Sequence, residues 1–489
     1  MGVLPPLFWL DRAGGWEYNE GYSGMEVRRV KRIGKAVARA MRQNIRPERV
    51  LAAGFILLIL VGTALLALPA ATRSGRSIGV FNSLFTATSA VCVTGLVVVD
   101  TGTTFSGFGQ GVLLVLIQMG GLGFMIFATM VMVALGRKIT LRERMVIRES
   151  MNTATLSGLV RLTRAYTLLT LLIELAGALL LAIRFVPRFG WGQGIWYSMF
   201  HAVSAFCNAG FDLFGHFSSL TGFCNDPLVL MTIAALIILG GLGFAVIFEV
   251  LHCGGHWKRL TLHAKLTLIA TALLLALGWV FYAAVEWRNP ATLGAEGVSG
   301  PFNKLVNAFF QSVTMRTAGF NSVPLADLKE SSKLFSMVLM FIGASPASTG
   351  GGIKTTTMSV VLLITLSVVR GHRDVNILGR RLPTELMRRA LAILSIFFVT
   401  LLVGIVALTL AENETKPAID LMFEGASALA TVGVSSVGTP DLSPVSKGIL
   451  VPMMYFGRVG PLTLAMALAK KQGSAQNHIR YPEEHIMIG

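Results

Sequence analysis

Long apolar stretches alternate with shorter polar stretches along most of the chain. Eight of them reach the length of about 20 residues that a helix needs to cross a hydrocarbon core of roughly 30 Å. We therefore predict eight membrane spans, at residues 51–70, 111–135, 165–185, 227–250, 266–285, 334–369, 390–411 and 448–469. An even number of spans places both termini on the same side of the membrane.

Composition supports a membrane protein and excludes a soluble domain. Of 489 residues, 53% are hydrophobic and only 14% are charged. The net charge of +17 could favour nucleic acid or anionic lipid, but most Lys and Arg residues lie at the termini and in every second connection between spans. That distribution is typical of cytoplasmic loops, so we predict cytoplasmic termini and no nucleic-acid partner.

Four further apolar segments lie between consecutive spans and are too short to cross. They are residues 81–93, 195–207, 302–314 and 419–430. Irregular backbone at membrane depth is tolerated only where protein or a water-filled cavity surrounds it. We interpret the segments as re-entrant half-helices, although for any one of them an amphipathic loop on the outer surface is equally compatible with the pattern.

An internal repeat changes that balance, because the four segments align without gaps on one glycine. The aligned glycines are Gly95, Gly210, Gly319 and Gly433. A phenylalanine stands ten residues before each glycine, and a serine stands six before three of them (Ser89, Ser204 and Ser427), with Val313 in the third copy. The chain is therefore predicted to contain four units, each made of a span, a half-helix, a loop and a span.

This unit suits a cation filter. Backbone carbonyls can replace the hydration shell of a cation, and glycine allows the chain conformations that aim successive carbonyls at one axis. The predicted K⁺ ligands are the carbonyls of Val93, Thr94, Gly95, Asn208, Ala209, Gly210, Thr317, Ala318, Gly319, Thr431, Val432 and Gly433. Other glycines are predicted to let helices pack closely, namely Gly120, Gly121, Gly123, Gly240, Gly241 and Gly243.

The sixth span is interrupted by a glycine-rich stretch at residues 343–357, where proline and glycine disfavour a helix. Broken helices in transporters line pathways, but a passive kink is an alternative. GGGIKT is not a phosphate-binding loop, because Ile353 separates the glycines from Lys354. The chain also lacks a nucleophile or paired carboxylates in a common span, so we predict no enzyme.

Several charged residues lie near these segments, and the sequence predicts where each of them is placed. Arg458 lies inside the last span, facing either the pathway or a carboxylate such as Glu249 or Glu174. Arg316 is predicted to turn away from the axis and brace the loop. Asp100, Asp212 and Asp226 are predicted on the outer side, either concentrating cations or as ordinary loop residues, and Glu424 flanks the fourth segment.

Several motifs resemble the Trk/Ktr/HKT superfamily of potassium transporters. They are VTGL, SVTMRTAGFNSV, ASPASTGGGIKTTT and FGRVGPLT, together with QMGGLGF and the closing RYPEEHIMIG, which look most like the membrane subunit of the bacterial Ktr system. All four filter glycines are present, which supports potassium. Met315 departs from the proline that is common in relatives at this position.

The resemblance implies an all-α integral membrane protein with four repeats around a pseudo-fourfold pore, and a homodimer with one pore per protomer. It implies potassium uptake across the bacterial plasma membrane, promoted or accompanied by Na⁺ and regulated by a cytosolic RCK-type ring that binds ATP or ADP. The alternative is a Trk-type or Na⁺-permeable transporter of the same superfamily. The transported K⁺ and an activating Na⁺ are the expected ligands, with no covalently bound cofactor.

The resemblance also implies a gate below the filter. Its residues are Gly343, Ser345, Gly350, Gly351, Gly352, Lys354 and Arg458. The predicted parts of the chain are a basic cytoplasmic segment at 1–49, repeat 1 at 50–135, a link with repeat 2 at 136–251, repeat 3 at 252–370, repeat 4 at 371–470 and a cytoplasmic tail at 471–489.

Overall fold

The computed structural model describes most of the predicted membrane region. The described residues are 9–10, 16–17, 47–123, 126, 129, 159–372, 374–413, 415–460 and 463–464. The tail at 471–489, nearly all of the basic segment at 1–49, and the second half of the predicted spans at 111–135 and 448–469 lie largely outside them.

The described residues are mainly helical. Their α-helices are α1 (Pro47–Leu66), α2 (Val80–Val91), α3 (Thr101–Thr104), α4 (Gly107–Leu122), α5 (Leu159–Phe189), α6 (Trp191–Phe206), α7 (Pro227–Leu242), α8 (Phe244–His252), α9 (Leu262–Glu286), α10 (Gly300–Thr314), α11 (Glu330–Phe341), α12 (Thr355–Val369), α13 (Thr384–Glu412), α14 (Ala418–Leu429) and α15 (Pro444–Val459). The 3₁₀ turns are Pro69–Ala71, Thr221–Phe223, Trp257–Arg259 and Thr439–Asp441. Two antiparallel strand pairs are formed by β1 (Trp9–Leu10) with β2 (Trp16–Glu17) and by β3 (Asn376–Ile377) with β4 (Arg380–Arg381).

Four helices among the described residues are long and apolar enough to cross a membrane by themselves. They are Glu48–Leu66, Leu159–Phe189, Leu262–Glu286 and Thr384–Glu412, or up to five spans if the bent pair α7 and α8 is counted as one. These four correspond to the first helix of each predicted unit. Many of their large apolar side chains are exposed on the protein surface, as a lipid-facing helix requires.

The predicted span at 227–250 is not one straight helix. The axis turns by 96° between α7 and α8. Gly243, at the corner, has a φ of 91°, a conformation that glycine adopts without the penalty of a Cβ. Apolar composition alone could not show this break, because both halves are equally apolar.

All four predicted half-helices form helices, at α2, α6, α10 and α14. Each packs against the long helix that precedes it in the chain. In addition, α4 packs against α6, α7 against α10, α11 against α14, and α15 against α2. We call the helices of one predicted unit a group, in which the long helix is the first helix and α4, α7, α11 or α15 is the second helix. The second helix of each group thus contacts the short helix of the next group, and the second helix of the last group contacts the short helix of the first.

Close packing at the ends of the short helices depends on three glycines. A Cβ at Gly120, Gly240 or Gly457 would overlap the carbonyl oxygen of the last helical residue of α2, α6 or α14, respectively. The predicted packing role is confirmed at Gly120 and Gly240. It is not seen at Gly123, which ends α4 with a positive φ and has no described atom within 4 Å of a Cβ position. Gly243 ends α7 with a positive φ and is also closely packed, because a Cβ there would lie 2.5 Å from the carbonyl oxygen of Pro346.

Candidate functional site

Each predicted filter glycine follows a short helix and has left-handed backbone. The values of φ are 96° at Gly95, 70° at Gly210, 89° at Gly319 and 90° at Gly433. The residue two positions earlier is left-handed as well, with φ of 55° at Val93, 58° at Asn208, 68° at Thr317 and 53° at Thr431. We call the stretches 93–95, 208–210, 317–319 and 431–433 the glycine segments; the same backbone alternation occurs in all four.

The glycine segments lie against one another in a closed ring. A Cβ at Gly95 would lie 2.5 Å from the carbonyl oxygen of Ala209, and one at Gly210 would lie 2.8 Å from that of Ala318. The ring continues at Gly319, whose Cβ would lie 2.8 Å from the carbonyl oxygen of Val432.

Gly433 closes the ring, because a Cβ there would overlap the carbonyl oxygen of Thr94. Each glycine therefore contacts the carbonyl that precedes the glycine of a neighbouring segment. We call this arrangement the glycine ring.

Hydroxyl groups of the short helices form hydrogen bonds with the backbone of the glycine segments or of the residue that follows them. Ser89 Oγ accepts a hydrogen bond from the amide of Gly95 at 3.0 Å, and Ser427 Oγ accepts one from Gly433 at 3.1 Å. Ser204 Oγ donates to the carbonyl of Phe211 at 2.8 Å. In the third copy, which has Val313 at the aligned position, Thr314 Oγ1 donates to the carbonyl of Phe320.

A cavity of about 540 Å³ is lined by all four glycines of the ring and by the residues that follow them. We call it the vestibule. Its wall includes Asp100, Asp212 and Asp441. Asp226, predicted on the same side, is instead the N-cap of α7, where it accepts a hydrogen bond from Val229 and pairs with Arg184 at 3.2 Å.

The charge of Asp212 depends on its burial within the wall. Burial raises the pKa of Asp212 to about 7, although the hydrogen bond from the amide of Phe214 lowers it. The negative charge of this carboxyl therefore decreases as the pH falls through 7.

The glycine-rich loop, residues 342–354 between α11 and α12, lies at the other end of the glycine segments. A Cβ at Gly350 would overlap Thr317 Oγ1, and one at Gly351 would overlap Thr431 Oγ1. Both threonines stand two residues before a ring glycine. The loop therefore covers the side of the ring that faces away from the vestibule.

Hydrogen bonds tie the loop to the broken helix of the second group. The amide of Ser345 donates to the carbonyl of Gly241 at 3.0 Å, and that of Thr349 to Gly240 at 3.2 Å. At the corner, the amide of Phe244 donates to the carbonyl of Ala347 at 3.0 Å. The loop thus supplies partners for backbone groups that the helix break would otherwise leave free.

Three cationic side chains converge on the carbonyls of the loop. Arg316 Nη2 donates to Gly343 at 3.4 Å, and Lys354 Nζ donates to Gly350 at 2.7 Å. Arg458 donates to Thr349 and also to the carbonyls of Gly120 and Gly121 at the end of α4. None of the three forms an ion pair with a carboxylate of the residues described.

Two alternatives for these charges are settled by their contacts. Arg458 does not pair with Glu249, whose carboxylate accepts from Thr261, or with Glu174, which accepts from Gln118 at 3.2 Å. Arg316 braces the loop as predicted, but through Gly343 and Thr355 and not through a carboxylate.

Sequence reasoning missed three features of this site. It did not find the left-handed residues two positions before the ring glycines, because only asparagine among them is known to tolerate that conformation well. It did not assign Thr349, whose hydroxyl donates to the carbonyl of Phe206 at 2.9 Å. It did not assign Gly457, although Gly457 and Gly460 have the same spacing as Gly120 and Gly123, which is a signal present in the sequence.

Residues 35–479 match the family model described as TrkH, cation transport protein. The chain belongs to the TrkH family. The match covers the ring, the vestibule and the glycine-rich loop of this chain.

Among TrkH-family relatives, the chain is 43% identical over 445 residues to the Ktr system potassium uptake protein B of Bacillus subtilis, covering 91% of this chain and 97% of that protein. It is 40% identical to the potassium/sodium uptake protein NtpJ of Enterococcus hirae, covering 92% of this chain and 98% of the relative. The crystal structure of the potassium transporter TrkH from Vibrio parahaemolyticus has the same fold. That match has a TM-score of 0.66 and 18% identity and covers 86% of this chain and 85% of the other.

Proposed function

We propose that this TrkH-family protein takes up potassium through a pore whose filter is the glycine ring. The observation that supports this most is the closure of the ring, in which four glycines each contact a carbonyl of a neighbouring segment. Four sets of backbone oxygens around one axis replace the water that a cation loses on entering a medium of low dielectric. The names of the relatives, which state potassium or potassium/sodium uptake, support the choice of ion.

The proposed filter consists of the carbonyls of residues 93–95, 208–210, 317–319 and 431–433. The alternating left-handed conformation supports this assignment, because it is costly for Val93, Thr317 and Thr431 and such strain concentrates at functional sites. The short helices end directly before the segments. Their C-termini carry about −0.5 of an elementary charge each, which favours a cation and disfavours an anion.

The full architecture proposed is eight spans and four re-entrant half-helices around a pseudo-fourfold pore. Four apolar helices of spanning length and four shorter helices that pack in a cycle support it. The vestibule then faces the outside, and the glycine-rich loop faces the cytoplasm. This orientation follows from the basic residues of the predicted cytoplasmic connections.

The glycine-rich loop is the proposed gate. Its contacts with Thr317 and Thr431 support this role, because a cation leaving the ring would meet the backbone at Gly350 and Gly351. The positive charges of Arg316, Lys354 and Arg458 around the loop add an electrostatic barrier to cations. Movement of Gly343, Ser345 and the three consecutive glycines would open the path.

The remaining assignments rest on the resemblance to the Ktr system. We propose a homodimer in the bacterial plasma membrane, with cytoplasmic termini, Na⁺-promoted uptake and control by a cytosolic RCK-type ring that binds ATP or ADP. The name of the Bacillus subtilis relative, which places it in a Ktr system, supports a multicomponent assembly.

Uptake into proteoliposomes tests the proposal. The purified chain is expected to take up radioactive rubidium, in competition with external potassium more than with sodium. Gly95→Ser places a side chain at a φ of 96° and 2.5 Å from the carbonyl of Ala209. We expect this change to reduce the preference for potassium over sodium by about tenfold, which corresponds to about 1.4 kcal/mol.

Gly111→Ala is the matched control. It lies within α4, and a Cβ there would meet no atom within 4 Å. Its selectivity should equal that of the wild type. Equal competition by sodium and potassium in the wild type would favour the sodium-permeable alternative. An unchanged preference in folded Gly95→Ser protein would contradict the filter.

A further inference from the structure

A groove lies between the first and the second group of helices. It has a volume of about 680 Å³, and its wall includes Arg73, Ser106, Gln110, Gln193, Trp196 and Tyr197. Among the described residues that line it, Arg73 alone is charged. We call this cavity the Arg73 groove. Its wall carries one positive charge, which an anionic ligand would neutralise.

Hydrogen bonds across the two groups fix the wall of the groove. Trp196 Nε1, in the second group, donates to Gln110 Oε1, in the first group, at 2.8 Å. Gln110 Nε2 donates in turn to the carbonyl of Phe105 at 3.2 Å. Gln110 is only 4% exposed, so this link lies in the protein interior. The wall is therefore formed before any ligand binds.

Two side chains of the wall have donors to spare. Arg73 Nε donates to the carbonyl of Phe105 at 3.2 Å, which orients the guanidinium, and its Nη groups have no partner in the described part of the chain. Tyr197 Oη accepts from Gln193 Nε2 at 2.7 Å, so its own proton has no acceptor among the described groups. Tyr197 is 7% exposed, and a buried hydroxyl normally finds an acceptor. A guanidinium fork beside a free hydroxyl suits the oxygens of a phosphate.

Apolar side chains next to the groove distinguish a lipid from a free phosphate. Phe108, Trp191 and Ile195 belong to the same two helices as the wall, α4 and α6, and are 49%, 77% and 52% exposed. On a membrane protein such side chains face acyl chains, and tryptophan favours the depth of the headgroups. A lipid bound by its phosphate would cover them with its acyl chains, whereas a free phosphate would leave them uncovered.

The groove lies at the same end of the molecule as the vestibule. The amide of Arg73 donates to the carbonyl of Thr104, the last residue of α3, at 2.9 Å. Thr101, the first residue of α3, and its N-cap Asp100 line the vestibule. A lipid in the groove would therefore belong to the leaflet on the side of the vestibule.

We propose that the Arg73 groove binds the phosphate of an anionic phospholipid, with Arg73 and Tyr197 as its donors. A headgroup with one net negative charge, as in phosphatidylglycerol, matches the single positive charge of the wall. A zwitterionic headgroup would bring an ammonium group, for which the described wall offers no carboxylate. The bound lipid would connect the first and the second group of helices, whichever ion the protein transports.

Thermal unfolding of the purified full-length chain in detergent micelles tests the site. Phosphatidylglycerol or phosphatidylcholine with the same acyl chains is added at equal mole fraction and equal ionic strength. We expect phosphatidylglycerol to raise the midpoint by several degrees over phosphatidylcholine, because a ligand that binds only the folded state stabilises it. Arg73→Gln should lose most of this difference. Tyr197→Phe, which removes only the hydroxyl, should lose part of it.

Arg76→Gln is the matched control. Arg76 is exposed, lies three residues after Arg73 and does not line the groove. Since this variant removes the same charge from the same surface, it should keep the full difference between the two lipids. Glycerol 3-phosphate, at the same phosphate concentration as the lipid, provides the anion without acyl chains and should leave the midpoint unchanged.

Equal midpoints of the wild type in the two lipids would overturn the proposal. Equal losses in Arg73→Gln and Arg76→Gln would do so as well, because they would indicate a general effect of surface charge. Stabilisation by glycerol 3-phosphate as large as that by the lipid would indicate a free anion. Size-exclusion chromatography of the same samples covers the remaining occupant. If Arg73→Gln dissociates a dimer in both lipids, the groove is a contact between copies of the chain and the lipid site is refuted.

Discussion

At the scale of the single residue, Arg458 is a cation without an ion pair among the described residues that makes three hydrogen bonds to backbone carbonyls. Its guanidinium donates to carbonyls of the loop and of α4, so one side chain links the fourth group of helices to the third and the first. The planar fork of arginine can satisfy three carbonyls, which a lysine ammonium with its point charge does less well. The positive charge also lies next to the proposed exit of the pore.

Replacing Arg458 by Gln should increase rubidium uptake in proteoliposomes. The change removes both a link to the loop and a positive charge, and a loss of one to two kcal/mol from an electrostatic barrier corresponds to roughly tenfold in rate. Arg389→Gln is the control, since it also removes one charge but belongs to an exposed ion pair with Glu385. Unchanged uptake by folded Arg458→Gln protein would show that the side chain is only structural.

Residue types predicted the ring glycines but not their neighbours. A glycine repeated in one register is a visible signal, because few other residues adopt a φ near 90°. Val93 and Thr431 carry no such signal, since β-branched residues normally avoid positive φ. Their conformation is imposed by the packing of the segments, which no local pattern encodes.

At the scale of the element, two helices that end near the glycine ring have terminal carbonyls that accept hydrogen bonds from other parts of the chain. The carbonyls at the end of α4 accept from Arg458, and those at the end of α7 accept from the loop amides of Ser345 and Thr349. Terminal helix carbonyls normally require water or capping groups. Here Arg458 provides the partner at α4 and the glycine-rich loop provides the partners at α7, so a movement of the loop would expose the carbonyls of α7.

The loop can be displaced by one methyl group. Gly351→Ala would place a Cβ against Thr431 Oγ1, and Gly351 has no positive φ that would add backbone strain. We expect the loop to move away from the ring and rubidium uptake to rise several-fold. Gly448→Ala, in α15 with nothing within 4 Å of its Cβ, controls for the substitution.

Uptake at the wild-type level in Gly351→Ala, with the protein folded, would mean that the loop does not obstruct the path. Reduced uptake would also argue against a gate, because it would indicate that the contact with Thr431 supports the ring.

Among the elements, the short helices were predictable and the helix breaks were not. Four apolar segments too short to span a bilayer correctly indicated α2, α6, α10 and α14. The corner at Gly243 lies within an uninterrupted apolar run, so hydropathy continues through it. The proline and clustered glycines of residues 343–357, in contrast, predicted the broken sixth span correctly.

At the scale of the whole molecule, the ring joins four parts of the chain that are far apart in sequence. Each segment is held by its own short helix and by the second helix of the preceding group. A cation bound to all four would stabilise contacts between groups, and it would do so only in the folded state.

Potassium should therefore raise the midpoint of thermal unfolding relative to choline, with sodium absent. A ligand at 100 times its dissociation constant contributes about 2.7 kcal/mol, provided that it does not bind the unfolded chain. Gly433→Ala should abolish the difference, because its Cβ would overlap the carbonyl of Thr94 and open the ring. A potassium effect that survives in this variant would place the bound ion elsewhere.

The overall organisation followed from the repeat, whereas the order of contacts between groups did not. Four units with one glycine register imply equivalent positions around an axis, but the register alone does not state which unit adjoins which. The packing of α4 on α6, α7 on α10, α11 on α14 and α15 on α2 supplies that information.

This closure has a consequence for biosynthesis. Because the carbonyl of Thr94 meets Gly433, the segment that closes the ring is translated more than three hundred residues after the first one. A nascent chain that extends only as far as its third group cannot form the closed ring. The ring is therefore assembled late in synthesis, after the first three segments have already emerged from the ribosome.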